Sequence, residues 1–200
     1  MVFDTLRVGF PTFNIVVIDN GSHPDVVPQI KAAAERAGAS FTPTERHDFI
    51  EHYRWMLCEQ DQLESFVLLD PDVVFWNNVE DWTFDGAVAG RLIPDLTTGG
   101  VTSMARLHPS HVWVPSAKRL RALGVSVELR KDDGKFWDTL ATIYQDHPAE
   151  CQPFSESQLD CYDHLFYGSH FPAIEPRLQD RKSTRLNSSH SQQSRMPSSA

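Results

Sequence analysis

FVLLDPDVVF, residues 66–75, decides the reading of this chain. An apolar run, Phe66 to Leu69, ends on two aspartates, Asp70 and Asp72, with only Pro71 between them. A second apolar run, Val73 to Phe75, follows at once. Aspartate bonds its own backbone and proline fixes φ, so Asp70-Pro71-Asp72 reads as a hairpin turn. Two carboxylates at i and i+2 around a tight bend also suit one hard cation, which takes oxygen ligands. The choice between turn and cation site depends on what the flanking chain builds.

Upstream, Phe13 to Asp19 (FNIVVID) is an apolar, β-branched run ending in the turn cluster Asn20-Gly21-Ser22, which reads as a buried strand. Ser22 to Asp25 fits a capping box, Pro28 suits a first helical turn, and IKAAAERA runs on to a stop at Gly38. Ala39 to Thr42 is a short strand. Thr44 is placed to cap a second helix whose apolar face is Phe49, Ile50, Tyr53 and Leu57. Strand, helix, strand, helix, strand predicts a parallel sheet with right-handed crossovers. Asp19 and Asp70 then both stand at carboxyl ends of parallel strands, where open α/β sheets bind ligands. Two acidic sites on one edge favour the cation over the bare turn.

The second half is less regular. Gly86 to Ile93 reads as a strand, Asp95 to Ser103 as a flexible loop or lid, and His111 to Val114 as a short strand. Ser116 to Leu123 and Phe136 to Tyr144 read as helices, and Cys161 to Tyr167 as a strand. Trp76, Trp82 and Trp113 read as core residues.

The 200 residues suffice for one domain with a real core, and 40% hydrophobic with 22% charged residues is ordinary for a globular chain. No apolar run approaches the ~20 residues that span a bilayer. MVFDTLRVGF has neither the basic start nor the apolar centre of a secretory signal. Cys58, Cys151 and Cys161 form no CxxC pair and read as free thiols of a reducing compartment. These features predict a cytoplasmic chain, peripheral to a membrane at most. A net charge of −9 argues against a nucleic-acid surface. Residues 180–200 change character: seven serines, no aromatic, and Leu186 and Met196 as the only large aliphatic or thioether side chains. DRKSTRLNSSH and SRMPSSA resemble the translation of a common sequencing-library adapter, which sets the tail apart as artefact and implies a gene continuing past Gln179. Without it, residues 1–179 hold 14 basic against 26 acidic side chains, a net of −12. An anionic substrate must then be drawn by something other than bulk charge, and a metal would serve.

IVVIDNGS followed some fifty residues later by FVLLDPDVVF resembles glycosyltransferase family 2 and its GT-A-fold relatives, over roughly residues 3 to 170. The resemblance implies an α/β, Rossmann-like mixed sheet flanked by helices, spanning residues 1–179 and truncated at both ends. TLRVGFPTFNIVVIDNGS aligns with the end of the family's first helix and its second strand, so the first strand is expected to be missing. It implies sugar transfer, with inversion, from a nucleotide-diphosphate donor to a saccharide, lipid-linked or small-molecule acceptor, assisted by Mn²⁺ or Mg²⁺. Carried over residue by residue, Asp19 and Asn20 contact the nucleoside, and Asp70 and Asp72 hold the metal or donor. Relatives take a third metal ligand from a late histidine; DHLFYGSH offers His164 and His170, and His164 is chosen because it lies in a strand-like run. The family sets a carboxylate base near a helix start, and Asp138 fits that order, with Asp132 and Asp133 as rivals in a lysine-flanked turn. Arg106 and His108, beside the flexible loop, suit phosphate oxygens. Two other readings stay open. Asp70-Pro71-Asp72-Val73-Val74 also fits the DxDx[TV] pattern of haloacid-dehalogenase-type phosphatases, although that family sets it on the opening strand. A non-catalytic nucleotide-binding remnant is the third.

Overall fold

The first βαβ unit forms as the apolar spacing predicts. The computed structural model describes residues 2–45, 48–59, 63–98 and 101–165; the chain divides into a unit Met1–His164 and a unit Leu165–Ala200. His170 and the serine-rich tail lie outside the described residues. Helix α1 (Val2–Gly9) precedes strand β1 (Val16–Asp19), helix α2 (Val27–Arg36) and strand β2 (Ser40–Pro43). β1 and β2 pair in parallel, from Val16 opposite Ser40 to Asp19 opposite Pro43, with α2 as the crossover. Pro28 sits in the first turn of α2, and Gly38 takes a φ of 67° just past its end. The expected Ser22 capping box does not form. The cap residue is Val26, and Ser22 instead donates its backbone N–H to Asp19 Oδ1. Helix α3 (Phe49–Arg54) is capped by Asp48 rather than Thr44, because the Asp48 carboxylate accepts from the N–H groups of Ile50 and Glu51. It continues as a π-helical turn, Trp55–Glu59.

Beyond this point the sheet departs from the parallel arrangement that was expected. Strands β3 (Phe66–Leu69), β4 (Val73–Phe75), β5 (Val88–Ile93), β6 (Leu96–Thr98), β7 (Val101–Ser103) and β8 (Arg106–Val114) follow in order. Then come helix α4 (Ala117–Ala122), strands β9 (Arg130–Asp132) and β10 (Lys135–Trp137), helix α5 (Ala141–Asp146), strand β11 (Cys151–Pro153), helix α6 (Glu156–Leu159) and strand β12 (Tyr162–His164). β3 pairs not with β1 but antiparallel with β8, at one end of a mixed sheet ordered β11-β5-β8-β3. Alternation explains the pairing. Phe66 and Leu68 of β3, Val112 and Val114 of β8 and Val88 of β5 face one core cluster with Leu57, Leu120 and Ile143. Val67, Leu69, Trp113 and Ala89 face the other, with Phe10, Phe75 and Phe154. Both faces are covered, so each large side chain here contributes about 1.5–3 kcal/mol of burial.

Two local expectations are corrected. Asp95 to Ser103 is not a bare loop, because Leu96–Thr98 and Val101–Ser103 pair antiparallel as β6 and β7; their threonines and valine are strand formers. Phe136 to Tyr144 is not one helix. Asp133 and Gly134 both take positive φ, 47° and 78°, the two-residue turn that an Asp-Gly pair favours. They fold Phe136 and Trp137 back against β9, and α5 starts only at Ala141. Asp132 and Asp133 therefore sit at an exposed hairpin, as the flanking lysines suggested. Trp113 and Trp82 pack in the aromatic core, whereas Trp76 is 51% exposed. All three cysteines are free thiols. Among the described residues no helix is long and apolar enough to cross a membrane. The architecture is mixed α/β with several mixed sheets.

Candidate metal centre

Asp70-Pro71-Asp72 does form a tight turn: the Val73 N–H donates to the Asp70 carbonyl across it at 3.3 Å. It is not a hairpin, however. β3 pairs with β8 and β4 pairs with β12, so the turn carries the chain from one sheet to another. The Asp70 N–H is fixed by the Ser110 carbonyl at 2.8 Å. On the far side, β12 runs antiparallel to β4 with His164 opposite Val73 and Tyr162 opposite Phe75. That register sets His164 beside Asp72. Its Nε2 lies 2.9 Å from Asp72 Oδ1, and both side chains are largely buried. Asp70, Asp72 and His164 each present one ligand atom within 4.8 Å of the others.

The electrostatics of this cluster suit a cation. Burial, and then the Asp72 charge, push the Asp70 carboxyl up to about 6. Burial holds the His164 imidazole toward its neutral form, against the pull of Asp72. Two carboxylates and one neutral imidazole make a hard, mixed O/N donor set, which fits Mn²⁺ or Mg²⁺ and leaves coordination positions for other oxygens.

Around the triad the structure gathers further groups. His108 stacks edge-on against His164 with ring centroids 4.8 Å apart. Its Nδ1 accepts the Ser110 N–H at 3.1 Å, and burial, with the neighbouring His164, Arg91 and Arg106, pushes it down to about 3. The neutral ring therefore carries its proton on Nε2, which makes that nitrogen a donor. Arg106 Nη2 pairs with Asp138 Oδ2 at 2.7 Å, and its Nη1 donates to Ser103 Oγ at 3.0 Å. Asp138 Oδ1 accepts the Thr139 N–H at 2.8 Å, so both of its oxygens are engaged.

Asp19 lies at the end of the separate β1–β2 sheet, nearly buried, with Oδ1 taken by its own turn. It does not share a sheet with Asp70, and Asn20 is exposed beside it. Two residues were missed by sequence reasoning. The Tyr53 hydroxyl lies 3.0 Å from the Pro109 carbonyl and 3.4 Å from Asp70 Oδ1, and burial followed by the Asp70 charge holds its phenol well above the ordinary range. Tyr53 had been read only as part of a helix face. The other is Arg91, a lone charge inside the apolar run GAVAGRLI. The sequence matches no family model and no curated protein.

Proposed function

We propose that this domain is a metal-assisted glycosyltransferase, moving a sugar with inversion from a nucleotide-diphosphate donor to a hydroxyl acceptor. The observation that carries the reading is the convergence of Asp70, Asp72 and His164 from two sheets onto one turn. Asp70, Asp72 and His164 would hold Mn²⁺ or Mg²⁺. Such an ion supplies compensation for the charge that builds on a departing diphosphate. The protein's own groups do the rest. Tyr53 and the Ser110 carbonyl fix Asp70 in place. His108 donates from Nε2 toward donor oxygens. Asp138 takes the proton from the acceptor hydroxyl as its oxygen bonds the sugar carbon and the sugar–phosphate bond breaks, releasing nucleoside diphosphate. Arg106, now bound to Asp138, sets the direction of that carboxylate. Asp19 and Asn20 are the proposed nucleoside contacts.

The experiment is incubation of the protein with UDP- and GDP-sugars, with Mn²⁺, with Mg²⁺ and with chelator, following release of nucleoside diphosphate. Slow, metal-dependent release is expected. Free phosphate from a simple phosphate ester would instead establish the phosphatase chemistry of the same two aspartates. Metal-independent donor binding with no turnover would leave only a nucleotide-binding module.

A further inference from the structure

β8 does not keep step with β5. Ala89 and Gly90 of β5 face Trp113 and Val112, yet Leu92 and Ile93 face Leu107 and Arg106. Residues 108–111 of β8 are thus accommodated opposite a single β5 residue, Arg91. Pro109 lies in this bulge and has no N–H to give a ladder. Bulges re-aim side chains, and this one acts on both strands: it presents His108 from β8 and frees Arg91 from a cross-strand neighbour. Arg91 is half-buried. Among the described residues it has no hydrogen-bond or ion-pair partner, although residues 1–179 carry a net charge of −12. A partly desolvated guanidinium in an acidic protein ordinarily takes a carboxylate; Arg119, Arg106 and Arg54 all do. The charge of Arg91 nevertheless reaches the metal cluster: after burial, it is among the causes that keep His108 and His164 neutral.

A count of formal charge shows what this arrangement selects. With a divalent ion on the triad, Asp70 and Asp72 cancel it. Arg106 and Asp138 cancel one another, and both histidines are neutral. Arg91 remains as the uncompensated positive charge, set beside a metal with open positions. We infer that Arg91, aimed by the β5/β8 bulge, binds phosphoryl oxygens of a metal-bound diphosphate. The inference rests on the metal-site reading above and adds to it the group that makes the loaded site prefer a diphosphate to a neutral ligand. A guanidinium fork matches two phosphoryl oxygens, which an ammonium point charge does not.

The test is calorimetric titration of wild type, Arg91→Gln and Arg91→Lys with Mn²⁺ alone. Pyrophosphate, UDP and uridine are then titrated in saturating Mn²⁺. Arg91→Gln is expected to bind Mn²⁺ as tightly as wild type or slightly more so. It should bind pyrophosphate and UDP about tenfold or more weakly, as the loss of a charge-assisted contact implies, and uridine unchanged. Arg91→Lys should fall between. Intact Mn²⁺ binding with equal pyrophosphate and UDP affinities in all three proteins overturns the role of Arg91 and leaves the metal site standing. A wild-type protein that binds no Mn²⁺ overturns the metal site and this inference with it. Weakening of UDP alone, with pyrophosphate unaffected, places Arg91 at the nucleoside and also refutes the inference.

Discussion

Acid should unfold this protein through His111, and the size of the effect follows from its surroundings. His111 is 1% exposed in β8. Phe75, Tyr162, Phe154 and Trp82 ring it, with centroids between 4.5 and 5.9 Å away. Its Nε2 accepts the Trp113 indole N–H at 2.9 Å, and among the described residues its Nδ1 has no partner. Protonation would break the indole bond and leave a buried cation without a counter-charge. Burial accordingly pushes His111 down to about 3 from its ordinary 6.5. The unfolded chain takes up a proton below about pH 6.5 that the folded chain refuses until about pH 3, so stability falls with pH through that window. From the Wyman relation the loss is about 2 kcal/mol between pH 7 and pH 5, and about 5 kcal/mol by pH 3. His108 pulls in the same direction, whereas Asp70, raised when folded, is relieved as pH falls and pulls the other way. The raw curve therefore mixes several groups, and a difference isolates one. His111→Gln keeps an acceptor for Trp113 and does not titrate. Urea unfolding of both proteins at pH 7 and pH 5 should show wild type losing about 2 kcal/mol more than the variant. Parallel stability curves would refute the account of a buried, neutral His111.

Three further outcomes follow from single contacts. Gly9→Ala should cost about 1–3 kcal/mol in urea unfolding, since a Cβ at Gly9 would stand 2.5 Å from Cγ of the fully buried Phe75; an unchanged midpoint would mean that α1 is free to shift on β4. Asp72→Ala should weaken Mn²⁺-dependent UDP binding by an order of magnitude, about 1.4 kcal/mol or more. It should not lower the melting temperature in chelator, because it removes one of two adjacent carboxylates; equal UDP affinity would return the turn to a purely structural part. Asp138→Asn should abolish sugar transfer and leave UDP affinity nearly intact, as befits a base used only in the transition state; normal transfer would confine Asp138 to its ion pair with Arg106.

What could be read from the residues alone divides along the line between local and cross-strand information. The strand–turn–strand of Phe66 to Phe75, the βαβ unit around α2 and the cap of α4 by Ser116 are written in consecutive residues. Local reading reached them. It failed where two local signals competed: Phe136 to Tyr144 carries a helical spacing, but the Asp133-Gly134 turn upstream captures Phe136 and Trp137 first. It failed again where strand order mattered, because consecutive strands were taken as neighbours. The partner of β3 comes from Arg106–Val114, some forty residues on. The triad was legible because family resemblance supplied the missing long-range pairing of β4 with β12. Arg91 and Tyr53 had no such guide. Neither has a local signature for a site. Arg91 acquires its character only when Pro109, eighteen positions later, breaks the ladder opposite it, and Tyr53 only when α3 delivers its hydroxyl to Asp70. A charged residue interrupting an apolar strand, read together with a proline in the strand that pairs with it, is therefore a signal worth seeking: the first cannot be buried without a partner, and the second shows where the sheet opens to admit one.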